Sequence, residues 1–206
     1  SAHGPYLFSM YIASLSNVIR SFGINHHQYA DDTQLYITVL KDDVLSCVCR
    51  LESCINAVHK WLSQNWLSLN PKKSEAIQFT SGRGQGRVED IASIAVSGVR
   101  IKPSTVVKSL GVTLDGGLTF DQHIANVCKA SYFHIRALRH VRKSLPDDVA
   151  KTVACSIVGS RIDYCNALLV GMSDSNFAKL QRVHNTLARV VLGLRKFEHI
   201  TPALIE

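Results

Sequence analysis

The chain of 206 residues carries 23 basic and 16 acidic side chains, a net charge of +7, and 46% of its residues are hydrophobic. This composition is typical of a globular protein, which excludes a disordered chain and suffices for one large domain or two small ones. No apolar run reaches the roughly 18–20 residues that a membrane-spanning helix needs. The six cysteines form no Cys-x-x-Cys pair, so neither a zinc site nor a disulfide framework is expected. We therefore expect an intracellular protein of the cytoplasm or nucleus, with reduced thiols.

The first part of the chain predicts a helix, a β-hairpin and a second helix. Apolar residues at helical spacing predict a helix over Leu7 to Phe22, with Gly23 as its stop. Alternating residues predict two strands, Ile24 to Ala30 and Thr33 to Leu40, and the two residues between them indicate a tight hairpin. A further helical pattern begins at Val44 and runs to about Asn65.

Short strands are predicted in the middle of the chain. Glu75 to Thr80 predicts one strand, and Ser81 to Arg87 predicts a surface loop whose glycines match neither phosphate-binding fingerprint. Three further strands are predicted at Ile94–Val96, Val99–Ile101 and Val106–Leu114.

From Phe120 onward the pattern predicts helices alone. One helix is expected around Ile124 to Leu138, and a second opens at Pro146 and runs toward Leu169. Ser173 is expected to cap a third helix. The chain therefore predicts a mixed α/β part followed by a helical part, with the change near residues 116–121.

Basic residues are concentrated in the helical part. Residues 1–120 carry 11 basic and 9 acidic side chains, and residues 121–206 carry 12 and 7. Two runs of basic residues contain no acid: Lys129, Arg136, Arg139, Arg142 and Lys143, and then Lys179, Arg182, Arg189, Arg195 and Lys196. Such faces suit a polyanion such as nucleic acid, although a solvated helix face explains the same pattern.

The acidic pair Asp31-Asp32 is the strongest chemical signal in the sequence. Asp is common in turns because its side chain bonds the local backbone, and Asp42-Asp43 and Asp147-Asp148 each precede a helical pattern, where acids are favourable. Asp31-Asp32 differs because both flanks predict strands. Adjacent carboxylates repel each other, and a divalent cation such as Mg²⁺ or Mn²⁺ would relieve that repulsion.

Five motifs, in order, resemble those of one known family. They are Ser1–Phe8, Tyr29–Tyr36, Leu69–Glu75, the run Leu110–Asp115 with its exit Leu118–Ile124, and the pair Ser160–Asn166 and Leu180–Asn185. The chain is similar to the C-terminal part of a reverse transcriptase from a non-LTR retrotransposon of the jockey-like kind.

The resemblance implies an α+β fold. Residues 1–118 would form part of a polymerase palm, with helices packed on an antiparallel sheet that carries the catalytic hairpin and the primer grip. The fingers would be absent. Residues 119–206 would form an all-helical thumb or connection region.

The resemblance also implies nucleotidyl transfer onto a primer 3′-hydroxyl with two Mg²⁺ or Mn²⁺ ions. Asp31 would be a direct metal ligand, and Asp32 would lie nearer the periphery of the metal site. Tyr29 and Ala30 would lie near the primer terminus. Lys73 would approach the leaving pyrophosphate, although taken alone it is a surface lysine beside Lys72. The expected partners are an RNA template, a DNA primer and deoxynucleoside triphosphates, with no membrane.

Further positions follow from the same resemblance. Leu110 and Gly111 would belong to the primer grip. Basic residues of the thumb would follow the nucleic-acid backbone: Arg136, Arg139, Arg142, Lys143, Lys179, Arg182 and Arg189.

The sequence departs from the family pattern in one important respect. The family's other metal-binding Asp lies in a segment before Ser1, and His3 and Ser74 replace more usual residues. We therefore expect a fragment that is inactive alone. Two alternatives stay open: a non-catalytic nucleic-acid-binding remnant of a retroelement, and a helical protein-interaction module.

Overall fold

The computed structural model describes residues 3–80, 91–195, 198 and 200. The loop predicted over Ser81 to Arg87 lies outside these residues, as do Ser1 and Lys196. By internal contacts the chain divides into two units, Ser1–Val107 and Lys108–Glu206. The predicted change from palm to thumb after residue 118 lies beyond this division, and the palm and thumb assignment stays a prediction.

The described residues of the first unit form three α-helices and two hairpins. Its elements are α1 (His3–Ile12), α2 (Leu15–Arg20), β1 (Asn25–Tyr29), β2 (Asp32–Tyr36), α3 (Val44–Gln64), β3 (Ile94–Val96) and β4 (Val99–Ile101). Its core joins α1, α2, the residue before β1 and one face of α3, through Ile12, Leu15, Ile19, Ile24, Cys54, Val58 and Leu62.

The second unit is mainly helical. Its elements are β5 (Val106–Ser109, which crosses the division), β6 (Val112–Asp115), α4 (Asp121–Val141), α5 (Asp147–Ala154), α6 (Ser160–Asp163) and α7 (Asp174–Val191). Helix α4 packs along α7, and β6 packs against α4. Apolar side chains of α4, of the helical run that begins with α5 and of α7 form the larger core, and Val112, Phe120, Ile124 and Leu169 form the smaller one.

The α+β composition is confirmed, with small strand pairs in place of one sheet. In the described part of the chain the strands form three separate two-stranded sheets, β1–β2, β3–β4 and β5–β6. The strand predicted over Glu75 to Thr80 was wrong: it is reduced to one bridge between Ile77 and Ser104, supported by the Ser104 N–H that donates to the Ala76 carbonyl at 2.7 Å. A strand needs a partner along its whole length, which local alternation does not supply.

The predicted helix over Leu7 to Phe22 is divided in two. Helix α1 ends at Ile12 and α2 begins at Leu15, because the intervening turn uses bonds of the tighter i to i−3 type, such as Ser16 N–H to the Ala13 carbonyl at 3.2 Å. The predicted apolar stripe still holds at Ile12, Leu15 and Ile19, which are buried.

The helix expected from Pro146 toward Leu169 is also shorter than predicted. Helix α5 continues through a π-helical turn, Cys155–Gly159, into α6, which ends at Asp163. The predicted cap of the third helix is confirmed, since the Ser173 hydroxyl accepts the Asn176 N–H at 3.3 Å. Apolar spacing along this helix predicts that Phe177 lies on its buried face with Val183 and Leu187, but Phe177 is exposed.

Candidate functional site

The acidic pair lies at the tip of the β1–β2 hairpin. Tyr29 pairs with Asp32 in antiparallel register, so the turn consists of Ala30 and Asp31, and Asp32 opens the second strand. The hairpin was predicted, but its turn lies one residue earlier than expected. Asp31 and Asp32 are both exposed. The two carboxylates are thus presented to solvent from adjacent positions, one in the turn and one on the strand.

The tip contains an unusual backbone conformation. Ala30 has a φ of +53°, whereas Asp31 does not have a positive φ. This combination is that of a type II′ turn, whose first central position normally carries Gly. A side chain in the left-handed region costs about 1 kcal/mol, so the tip holds local strain beside the two carboxylates. Strain of this kind is found at functional sites, where surrounding structure maintains it.

The inner face of the hairpin is anchored to helix α2. The Ser16 hydroxyl donates to Gln28 Oε1 at 2.8 Å and lies 2.9 Å from His26 Nε2. The donor in the contact between Ser16 and His26 depends on which ring nitrogen of His26 carries the proton. Burial, followed by the positive charges of Arg20 and His27, lowers the pKa of His26 and so favours its neutral form. The anchor was not predicted, since it joins residues from separate elements.

The outer face carries an aromatic pair that sequence reasoning also missed. The rings of His27 and Tyr36 stack with centroids 5.4 Å apart and an interplanar angle of 22°. Alternation places Tyr29 and Asp32 on this same face, and Tyr29 is 68% exposed. One face of the hairpin therefore packs on the protein, and the other presents Tyr29 and Asp32 to solvent.

Lys73 lies in the same unit on a separate turn. It ends the short 3₁₀ turn Pro71–Lys73, in which the Asn70 side chain accepts the Lys72 N–H at 3.1 Å. The Ser74 hydroxyl donates to the Asn70 carbonyl at 3.1 Å and closes the turn from its other end. The Lys73 side chain is exposed. The turn fixes the backbone of this motif and leaves the lysine ammonium in solvent.

Leu110 and Gly111 form the β5–β6 turn in the second unit. Their φ values of +46° and +84° are those of a type I′ turn, which fits the twist of a hairpin. The Tyr164 hydroxyl donates to the Leu110 carbonyl at 2.6 Å. After the turn, Asp115 accepts the backbone N–H groups of Gly117, Thr119 and Phe120 at 3.2, 2.9 and 2.7 Å. Burial alone would raise the pKa of Asp115, but these donors together lower it.

Several of the predicted basic residues share one groove. Lys129, Tyr132, Arg136 and Arg139 lie at spacings of three and four along α4 and line a groove whose other wall includes Thr186 of α7. The three cationic side chains are exposed. A tyrosine among cations suits contact with a polyanion.

The remaining basic positions behave differently from one another. The Arg142 guanidinium bonds the carbonyls of Val191 and Leu145 at 2.7 and 3.0 Å, pairs with Asp147, and is only 17% exposed. Lys179 donates to buried Asn176 at 2.9 Å, and Arg189 donates to the Glu198 carbonyl at 3.1 Å. Lys143 and Arg182 are exposed. Arg142 therefore holds the helical unit together, a role that charge counting does not reveal.

The chemistry of the tip suits a hard divalent cation. Mg²⁺ is commonly held by one or two carboxylates together with water and substrate phosphates, and Asp31 and Asp32 supply two exposed carboxylates. Across the described ranges, no group of three or more His, Cys, Asp or Glu side chains is placed to hold a metal ion. At the tip, Asp31 and Asp32 are the acidic side chains that could contact such an ion. None of the described helices has the length and apolar character needed to cross a membrane.

Comparisons with known proteins agree with the motif analysis. A family described as reverse transcriptase (RNA-dependent DNA polymerase) matches residues 1–114. The RNA-directed DNA polymerase from mobile element jockey of Drosophila melanogaster is 26% identical over 136 residues, which cover 63% of this chain and 14% of the relative. The protein of the same description from Drosophila funebris is 25% identical over 132 residues, 62% of this chain and 14% of that relative. This chain thus spans about one seventh of the length of either relative. No solved structure matches.

Proposed function

Because this chain belongs to the reverse transcriptase (RNA-dependent DNA polymerase) family, we propose that it carries the catalytic hairpin of a jockey-like RNA-directed DNA polymerase. The observation that supports this most directly is the tip of β1–β2, where Asp31 and Asp32 are exposed beside Tyr29. The substrates would be a primer 3′-hydroxyl paired to an RNA template and a deoxynucleoside triphosphate.

In this proposal the two carboxylates would bind metal ions, and those ions would contact the primer hydroxyl and the nucleotide phosphates. Asp31, in the turn, would be the direct ligand, and Asp32, on the outer face, would complete the anionic site. Two bound Mg²⁺ or Mn²⁺ ions would activate the primer hydroxyl and stabilise the leaving oxygens. Residues 29 and 30 form the backbone beside this site, and the His26–Ser16 anchor keeps the hairpin in place. The protein's part is thus to align reactants and to supply fixed charge.

Other residues would position the nucleic acid and the leaving group. Lys73 would stabilise the charge of departing pyrophosphate, and the Leu110–Gly111 turn would contact the primer as a primer grip. Lys129, Arg136 and Arg139 would contact the phosphate backbone from α4, because their groove is exposed and cationic. We add Lys143 and Arg182 to this surface, and we leave out Arg142 because its guanidinium is engaged internally.

We further propose that these 206 residues alone do not extend a primer. The family pattern places another metal-binding Asp in a segment before residue 1, and two carboxylates would hold the ions less well than three. The test is Mg²⁺-dependent extension of a DNA primer on an RNA template, by these residues and by a longer polymerase chain that includes them. We expect extension by the longer chain alone; extension by the short one would refute this proposal.

A non-catalytic nucleic-acid-binding role is the second candidate, and the cationic groove on α4 favours it. Both candidate functions predict nucleic-acid binding that weakens steeply as the salt concentration rises, since phosphate contacts release counterions. They differ because only the polymerase function predicts metal-dependent primer extension. A longer chain that binds duplex but never extends a primer would favour the second candidate.

A further inference from the structure

Tyr164 reaches across the second unit to the β5–β6 turn. Its hydroxyl donates to the Leu110 carbonyl at 2.6 Å, and a side-chain carbon placed on Gly111 would lie 3.3 Å from Tyr164 Cε1. The tyrosine therefore touches both residues of the turn, one by a hydrogen bond and one by its ring.

The irregular helix that precedes Tyr164 sets the direction in which this residue leaves the helix. The π-helical turn Cys155–Gly159 inserts an extra residue ahead of α6 and so rotates the residues that follow around the helix axis. Helix α6 ends at Asp163, Tyr164 leaves the helix in an extended conformation, and Cys165 follows with a φ of +55°. π turns of this kind occur frequently at functional sites.

The contact is accessible to a ligand. Tyr164 is 51% exposed and Leu110 is 43% exposed, so the hydrogen bond lies at the surface of the unit. The half-exposed Tyr164 side chain thus bonds the backbone of the β5–β6 turn, and part of the same side chain remains in contact with solvent.

We propose that Tyr164 is a positioning residue for primer binding. By holding the Leu110 carbonyl and covering Gly111, it fixes the turn backbone in the place where a primer end would contact it. This inference rests on the proposed function, in which that turn is the primer grip. Tyr164 acts through the turn and has no part in the chemical step.

The test compares two nucleic-acid probes and two matched variants of the 206-residue chain. The probes are an RNA–DNA duplex with a recessed DNA 3′ end and a blunt duplex of the same length. Tyr164→Phe removes only the hydroxyl, and Tyr6→Phe makes the same change at an exposed tyrosine of α1. Dissociation constants are measured at one salt concentration, and thermal midpoints are recorded alongside.

We expect the unaltered chain to bind the recessed duplex more tightly than the blunt one. Tyr164→Phe should weaken binding of the recessed duplex by about three- to tenfold, the usual worth of one hydrogen bond, and binding of the blunt duplex by less than about twofold. Tyr6→Phe should change neither. A merely structural role would lower both affinities together.

The outcomes separate the inference from the proposed function. If the unaltered chain shows no preference for the recessed end, the primer grip itself is refuted and the role of Tyr164 falls with it. If the preference exists and Tyr164→Phe keeps it, only the role of Tyr164 is refuted.

Discussion

The hairpin turns at Ala30-Asp31 and Leu110-Gly111 both place a non-glycine residue at positive φ, Ala30 at +53° and Leu110 at +46°, but they differ in their contacts. The second has glycine at its next position, with a φ of +84°, and its Leu110 carbonyl accepts the Tyr164 hydroxyl. The first places alanine at a φ of +53° and exposes an adjacent pair of carboxylates. The difference lies in what holds each turn: a side chain 54 residues away bonds the β5–β6 turn, whereas the β1–β2 tip presents two adjacent charges to solvent. Under the proposed function, the β5–β6 arrangement would serve positioning and the β1–β2 arrangement would serve metal binding.

The largest expected effect is on catalysis at the first turn. Asp31→Asn in a longer polymerase chain that includes these residues should lower primer extension by more than about 100-fold, because a neutral amide replaces a charged metal ligand. Asp42→Asn is the matched control, since Asp42 is also exposed within an acidic pair. Steady-state extension rates under saturating Mg²⁺ provide the measurement. Equal losses of extension rate in both variants would contradict a metal-binding role that is specific to Asp31.

The next effect concerns stability at the second turn. Gly111→Ala should lower the free energy of unfolding by about 1–3 kcal/mol, because it combines a strained φ with contact against Tyr164. Gly98→Ala is the control: Gly98 has a φ of +81° in the β3–β4 turn, and nothing lies within 4 Å of an added side-chain carbon. Denaturant titrations should show the larger loss for Gly111→Ala. A larger loss at Gly98 would show that Tyr164 does not constrain the turn.

A pH-dependent effect follows from Asp115, which ends β6 and accepts backbone N–H groups of the turn that leads into α4. The pKa of Asp115 is lowered in the folded protein, so its contribution to stability is present above the ordinary aspartate pKa and is lost as pH falls through the folded value. Asp115→Asn should cost about 1–2 kcal/mol at neutral pH and reduce the loss of stability on acidification. Thermal midpoints between neutral pH and about pH 3 measure both. An unchanged acid slope in the variant would contradict the assigned hydrogen bonds.

The smallest expected effect returns to the first turn. Ala30→Gly should raise the free energy of unfolding by about 0.5 kcal/mol, since relief of strain exceeds the added flexibility of the unfolded chain. Chemical denaturation of the 206-residue chain measures it. A loss of stability would mean that the alanine conformation carries no strain.

The comparison also shows where sequence reasoning succeeds. The acidic hairpin was predictable because alternation on both sides of a two-residue break is a local signal, and the family match over residues 1–114 confirms the predicted reverse transcriptase family. The one-residue shift of the turn was not predictable, since no local signal marks Ala30 for a positive φ. The caps at Gly23 and Ser173 depend on nearby residues alone, and both were predicted.

Contacts between distant residues account for what the sequence did not reveal. Arg142 counts as a surface charge in the sequence, yet it bonds a carbonyl 49 residues away. Tyr164 and Leu110 are 54 residues apart, and no local sequence signal predicts the π-helical turn Cys155–Gly159 that precedes Tyr164. The strand predicted over Glu75 to Thr80 was wrong for the same reason, because strand formation depends on a partner distant in sequence, and here the pairing is one bridge from Ile77 to Ser104.

The most direct test of the central claim is to locate the primer 3′ end on the protein. A primer with a photoreactive 3′-terminal base, annealed to RNA, is crosslinked to the longer chain in Mg²⁺ and the attached peptide is identified. The account predicts attachment within residues 29–32, with attachment lost when the photoreactive base is moved to the 5′ end. Attachment confined to α4 and α7 for both primers would contradict a catalytic hairpin and leave nucleic-acid binding alone.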